Sequence, residues 1–298
     1  MTKEYQRGQK RNWAKTVTLL LCAVLGLAYI ALKPKPEPTP LPEGRLEVHF
    51  IDVGQGDATL IRCGDEAMLI DGGTEQSGTA LQLYLRQQGI AELKYVVATH
   101  PDSDHIGGLA TVLYNFETDM VLMTDRTAET AVYDNLMHTM QDRGYAKTVP
   151  STGQTYRLGE AEFTILGPLS RAEESNNESL ALRLVFGSVS FLFCGDAEAG
   201  EEGELALSLR SLHSTVYKVN HHGSNSSSCW PFLLRVRPQY AVISCGRDND
   251  YGHPDAAVLE RLSTVGAAIR RTDREGTLIA VSDGQTLEWR SSYEETQD

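Results

Sequence analysis

One stretch constrains this chain more than any other: Lys94 to Gly108, KYVVATHPDSDHIGG. A short apolar strand, Tyr95 to Ala98, runs into a loop carrying His100, Asp102, Asp104 and His105, and Gly107 and Gly108 follow at once. A polar turn that merely contains histidines is the plain alternative. Alternating imidazole and carboxylate, launched from the end of a buried strand, is instead how borderline divalent cations are held.

The surrounding pattern mixes strands and helices. Arg45 to Asp52 alternates, with Leu46, Val48, Phe50 and Asp52 on one face and Glu47 and His49 on the other, which predicts a half-exposed strand. Ala58 to Arg62 and Ala67 to Ile70 read as strands, Thr74 to Gln88 as a helix stopped by Gly89, and Gly107 to Tyr114 and Ala128 to Arg143 as helices. Short strands are expected at Met120 to Met123, around Val149 and Tyr156, and at Phe163 to Leu166. The second half has the same texture. Ser179 to Phe186 and Ser188 to Cys194 form a hairpin, Glu198 to Leu212 an acidic helix, and Val216 to Asn220 a strand ending in His221 and His222. Helices at Trp230 to Val236 and Ala256 to Val265 alternate with strands at Tyr240 to Ser244, near Ile269, at Leu278 to Val281 and at Thr286 to Trp289. Hairpins in both halves and polar clusters at strand ends suggest two mixed sheets packed face to face and covered by helices, an α/β four-layer arrangement.

Charge divides the chain. The formal net charge is −13, yet residues 1 to 44 hold seven Lys/Arg against three Glu, so the remainder carries −17. A body that acidic does not suit tight, non-specific nucleic-acid binding, although metal ions could supply local positive charge for transient action. Arg270, Arg271 and Arg274 form the one basic cluster of the domain; a solvated strand end is the default, with contact to a phosphate backbone as the alternative. Residues 1 to 15 are a basic tail, and residues 16 to 32 (TVTLLLCAVLGLAYIAL) carry no charge. That segment is just long enough for a membrane span, and the five basic residues before it place residues 1 to 15 in the cytoplasm and the rest outside. A signal peptide cleaved near Gly26-Leu27-Ala28, leaving a secreted domain, is the alternative. Residues 33 to 44, KPKPEPTPLPEG, are a proline-rich spacer, and residues 45 to 298 form the folded domain. Cys22, Cys63, Cys194, Cys229 and Cys245 show no paired spacing, so buried free thiols are expected, with a bridge such as Cys194 to Cys245 left open.

Polar residues gather at the strand ends: Asp57, Asp71, the His100 to His105 loop, Asp196, His221, His222 and His253. Ligands drawn from separate strand ends suit a dinuclear metal centre. The set DVGQGD (52–57), LIDGG (69–73), THPDSDHIGG (99–108), FCGDAE (193–198), NHHGS (220–224) and YGHP (251–254) resembles the metallo-β-lactamase superfamily. Within it, the chain is similar to the C-terminal hydrolase domain of ComEC/Rec2-type competence proteins, over about residues 45 to 290. The absence of G-x-S-x-G argues against a serine hydrolase.

The resemblance implies an αββα sandwich with the site along one edge and two divalent metal ions, Zn or Mn. His100 and Asp102 would serve one ion and Asp104 and His105 the other, with Asp196 bridging and His222 preferred over His221 as the last ligand. Asp102 stands where the superfamily loop commonly has His, which shifts the donor set toward oxygen. His138, the one histidine between that loop and Asp196, reads as an exposed helical residue, so one ion is expected to be held more loosely. His221 is expected to touch substrate or a leaving group, His253 to contact substrate or support the ligands, and Asp57 and Asp71 to support the ligands. Ser224, Ser226, Ser227 and Ser228 are expected to cap the next helix or bind phosphate through backbone N–H groups. A water shared by two ions loses its proton near neutral pH and attacks a phosphoester. The expected activity is therefore that of an exported, membrane-tethered phosphodiesterase or nuclease, with DNA among the candidate substrates. Cell-wall or small-molecule phosphoesters, and a non-catalytic binding module that keeps the fold, are the alternatives.

Overall fold

A computed structural model describes residues 41–292; residues 1–40 and 293–298, and with them the basic tail, the apolar segment at 16–32 and most of the proline-rich spacer, lie outside the described residues. Among the described residues no helix is long and apolar enough to cross a membrane. The last spacer residues already touch the domain, since Leu41 donates to the Gly64 carbonyl at 2.9 Å.

Among the described residues, fifteen strands form two sheets. They are β1 (Leu46–Phe50), β2 (Thr59–Cys63), β3 (Glu66–Ile70), β4 (Glu92–Ala98), β5 (Glu117–Met123), β6 (Lys147–Thr148), β7 (Thr155–Leu158), β8 (Ala161–Gly167), β9 (Ala181–Phe186), β10 (Val189–Phe193), β11 (Val216–Lys218), β12 (Tyr240–Ile243), β13 (Ala268–Arg271), β14 (Leu278–Ser282) and β15 (Leu287–Ser291). The first sheet runs β15-β14-β1-β2-β3-β4-β5-β6 and the second β13-β12-β11-β10-β9-β8-β7. Each is antiparallel on one side and parallel on the other, the parallel runs being β3 to β6 and β10 to β13.

Three apolar clusters define four layers. One lies between the sheets and includes Phe50, Phe163, Phe191 and Phe193. The second packs helices Gly78–Gln87, Leu109–Asn115 and Ala131–Arg143 on the outer face of the first sheet, through Leu81, Leu85, Leu113 and Leu136. The third packs helices Ala199–Leu207, Trp230–Val236 and Ala256–Thr264 on the outer face of the second, through Leu205, Phe232 and Leu262. This is the expected two-sheet α/β sandwich. Strands covered on both faces read as nearly continuous apolar runs, as in FLF of β10 and VYK of β11.

Several local expectations change. β1 is buried on both faces, not half exposed. Its polar side is satisfied internally: His49 lies 2.7 Å from the Tyr84 hydroxyl, and Glu47 accepts from Arg62 at 3.2 Å. The acidic helix ends at Leu207, five residues early, because Arg235 donates to the carbonyls of Ser208 (3.2 Å) and Arg210 (3.0 Å) and holds that segment out of the helix. The strand expected around Val149 is the two-residue β6. All four described cysteines are free, so Cys194 and Cys245 are not bridged. Two members of the basic cluster are paired locally, Arg271 with Asp273 at 2.7 Å and Arg270 with Glu275, and Arg274 is exposed.

The glycine pairs of the motifs have a steric cause. A Cβ on Gly108 would stand 2.2 Å from the Gly72 carbonyl oxygen, so the two Gly-Gly segments can be drawn together only without side chains. Gly72 in turn donates to the His105 carbonyl at 2.7 Å and Gly108 to that of Gly73 at 3.1 Å. Gly108→Ala is therefore expected to lower stability by about 2 kcal/mol or more, as an overpacked backbone contact does. An unchanged denaturant midpoint would show that the loops do not depend on this approach.

Candidate metal centre

The parallel strands of both sheets end on the same edge of the sandwich, and the polar loops meet there. After β4 the chain forms one helical turn, Ser103–Ile106, rather than an open loop. Asp102 is its N-cap residue but makes no capping hydrogen bond, and its carboxylate accepts instead from the Ser175 hydroxyl at 3.0 Å. Gly195 and Asp196 follow β10. After β11 the chain makes a tight turn, Asn220–Gly223, in which His221 (φ 49°, ψ 44°) and His222 (φ 53°, ψ 20°) are both left-handed. Two successive non-glycine residues in that region cost roughly 1–2 kcal/mol each. The turn is held by the Asn220 N–H donating to the Tyr217 hydroxyl (3.1 Å), by Ser227 donating to the Asn220 carbonyl (2.9 Å), and by the Asn220 amide donating to buried Glu202 (2.8 Å).

These loops gather Asp104, His105, Asp196 and His222, whose candidate ligand atoms lie within 4.8 Å of one another. His105 Nδ1 is 2.8 Å from Asp71, which also accepts from the backbone and hydroxyl of Thr99. His222 Nδ1 donates to the Ser244 carbonyl at 3.0 Å, with Asp57 3.3 Å away, and Asp57 is paired with buried Lys218 at 2.7 Å. In each ring the outward nitrogen is engaged, which leaves Nε2 for the centre. His100 lies beside the group, its ring 4.1 Å from that of His105 and its Nε2 3.9 Å from Asp102, whose side chain is 44% exposed. His100 and Asp102 do not join the four-residue group. His221 stands at the mouth, with Nδ1 3.1 Å from Glu198 and Nε2 3.8 Å from Asp196. His253 lies behind His221, ring to ring at 5.6 Å. His138 is exposed on the helix Ala131–Arg143.

The fit of a cation rests on unpaired atoms. His105 Nε2 and Asp196 Oδ1 lie 3.1 Å apart, both buried, and make no hydrogen bond; His100 Nε2 is likewise buried without a partner. With the His105 proton on Nδ1, two lone pairs face each other at that distance, and only a proton or a cation can lie between them. Neutral imidazoles and carboxylates on oxygen- and nitrogen-rich loops suit a divalent metal ion.

The electrostatics follow. Burial alone would lower His105, but Asp196 and Asp71 hold it well above its ordinary value. Burial opposes His222 in the same way, yet Asp196 and Asp57 push it up to about 10. Burial would raise Asp196, and His105 and His222 hold it well below the carboxylate range. His100 moves the other way, lowered by burial and by the charge on His105.

Sequence reasoning missed several partners. Glu198, the last residue of FCGDAE, orients His221. Lys218 is signalled only by a charge inside an apolar strand, and Glu202 by nothing local. The serines do not cap the next helix, whose N-cap is Cys229 without a side-chain bond. Ser226 instead donates to Glu198 (2.8 Å) and Ser228 pairs with Tyr217 (3.2 Å), because the turn must be braced before the helix begins.

The Metallo-beta-lactamase superfamily matches residues 51–247, and the chain belongs to it. ComEC-type competence proteins are similar to it: ComE operon protein 3 of Bacillus subtilis is 28% identical over 251 residues, covering 78% of this chain and 32% of the relative. Competence protein ComA of Neisseria gonorrhoeae is 32% identical over 260 residues (86% and 35%), and recombination protein 2 of Haemophilus influenzae 32% over 238 (77% and 28%). The chain thus spans about a third of the length of these relatives. In fold it resembles the metallo-beta-lactamase fold protein YhfI of Bacillus subtilis (TM-score 0.53, 11% identity, 80% of this chain and 99% of that one). It also resembles Igni18 of Ignicoccus hospitalis (TM-score 0.52, 14%, 78% and 98%).

A pH dependence follows for the metal-free protein. A raised His222 contributes stability that is fully present below its ordinary value of 6.5 and lost as pH rises toward about 10. The thermal midpoint of chelator-treated protein should therefore fall across that window. With Mn²⁺ or Zn²⁺ the fall should shrink or reverse, because metal displaces those protons and binds more tightly as pH rises. A metal-free midpoint that is flat from pH 6.5 to 10 would contradict the proton-bridged pairs.

Proposed function

We propose that this chain is a metal-dependent phosphodiesterase of the ComEC-like branch, held to a membrane through residues 16–32 with its catalytic domain outside. The observation that carries the chemistry is the Glu198–His221 pair at the mouth of a buried cluster whose facing acceptors need a positive charge, a proton or a metal ion, between them. In this reading Asp104, His105, Asp196 and His222 would hold one ion, and His100 and Asp102, beside Asp196, would hold a second. The bound ions would supply positive charge for the substrate's anionic oxygens and acidify a water.

The chain's own residues do the rest. Asp71 fixes the ring of His105, and the Ser244 carbonyl, with Asp57 beside it, fixes that of His222, so Nε2 of each faces inward. Glu198 fixes the His221 ring, and in this reading His221 gives a proton to the departing oxygen, a role worth about 10²–10⁴ in rate. Proton donation matters because an alkoxide leaving a phosphodiester is a poor leaving group. The relatives' names, competence and recombination proteins, support DNA as a substrate. The net charge of −13 favours a second reading, in which the same chemistry acts on cell-wall or small-molecule phosphoesters.

The full chain in detergent, supplied with Mn²⁺ or Zn²⁺, is tested on bis(p-nitrophenyl) phosphate, single-stranded and duplex DNA, and a β-lactam. DNA should be degraded. Asp196→Ala should abolish both metal binding and turnover, and His221→Gln should cut kcat by about 10²–10⁴ while metal content is kept. Diester hydrolysis with intact DNA selects the second reading, and protein that binds no metal by elemental analysis overturns both.

A further inference from the structure

We propose that Tyr251 and His253 form a stacking platform for the nucleobase attached to the hydrolysed phosphoester, so that the preferred substrate is a nucleotidyl diester. This deepens the phosphodiesterase reading and rests on it.

Rings run without a break from solvent to the candidate metal ligands. Tyr251 stacks on His253 (centroids 5.6 Å, interplanar 23°), and His253 meets His221 edge-on at 5.6 Å. His221 is 6.2 Å from His222, which is 5.3 Å from His105. At the outer end Tyr251 is 71% exposed. A large ring left open beside a polar, charge-binding centre is an amphipathic surface with one face used and one face free. Two ring-to-ring steps of 5.6 Å each separate it from His221.

The loop that carries the platform is fixed rather than loose. Asn249 donates to the carbonyls of Gly246 (2.9 Å) and His253 (2.7 Å) and accepts from the His253 N–H (3.0 Å). Gly246 donates to the Gln55 side chain at 3.0 Å, and Asp255 donates to the Gly223 carbonyl at 2.9 Å, so both ends of the loop are tied to site loops. A stacking ring that is already ordered loses little entropy on binding. The neighbours select for the base. Asp248 and Asp250, exposed in the same loop just before Tyr251, disfavour a second phosphate there, whereas a neutral π-face pays no such cost. The platform therefore suits a terminal nucleotide or a short strand end.

The test uses two diesters that share the p-nitrophenolate leaving group: thymidine 5′-(p-nitrophenyl) phosphate and methyl p-nitrophenyl phosphate. The Mn²⁺-loaded wild type should prefer the thymidine diester in kcat/KM. Tyr251→Ala should reduce that preference about tenfold, mainly through KM, as loss of one base–aromatic stack does. Tyr251→Phe should retain it, and Tyr251→Trp should raise it. Tyr114→Ala, at an exposed tyrosine on the helix Leu109–Asn115, should leave it unchanged. Equal kcat/KM for the two diesters in the wild type, or a preference unmoved by Tyr251→Ala, overturns the platform while the hydrolase reading stands. Turnover of neither diester overturns the hydrolase reading and this inference with it.

Discussion

The structure turns on two acceptors aimed at each other. His105 and Asp196 come from different sheets, and their facing atoms lie 3.1 Å apart without a hydrogen bond. Such a pair is repulsive unless a positive charge lies between them. The rest of the edge is arranged so that this cannot be relieved by turning either group away. Asp71 fixes the far side of the His105 ring, Thr99 fixes Asp71, and the Thr99 carbonyl accepts from Leu180 at 2.8 Å. Burying charges is costly, and groups so held are retained for what they bind rather than for what they add to stability.

The same logic explains the unusual lengths to which the second half goes to place two histidines. A β-strand cannot present consecutive side chains to one point, because successive residues face opposite ways. β11 therefore stops at Lys218, and the left-handed turn brings His222 inward while leaving His221 at the mouth. The division of labour between adjacent, chemically identical residues is thus set by backbone conformation. Glu202, Tyr217 and Ser227 brace it from three directions.

What could be read from the sequence was local. The loop at 99–108, the Gly-Gly pairs and the strand-end polar residues announce themselves because each is a short motif with its own steric or ligand logic. The half-exposed reading of β1 failed because alternation reports polarity, not exposure, and Glu47, His49 and Arg62 satisfy one another under Tyr84. The length of the acidic helix was misjudged because its stop is Arg235, far along the chain. Lys218 and Glu202 were invisible for the same reason: their roles exist only once β11 lies beside β10 and the helix Ala199–Leu207 lies against the turn. The ring row from Tyr251 inward also joins residues whose order in the chain gives no hint of adjacency.

The glycine contact between residues 72 and 108 and the His105–Asp196 pair share a geometric consequence. One locks the loops of the first sheet to each other, and the other reaches across to the second sheet. The centre is therefore a gauge of alignment between two slabs. Close-packed interiors shift as blocks rather than flow, so a core substitution between Phe50 and Phe193, well away from any ligand, would slide one slab on the other and be felt first as a change in the spacing of those two acceptors.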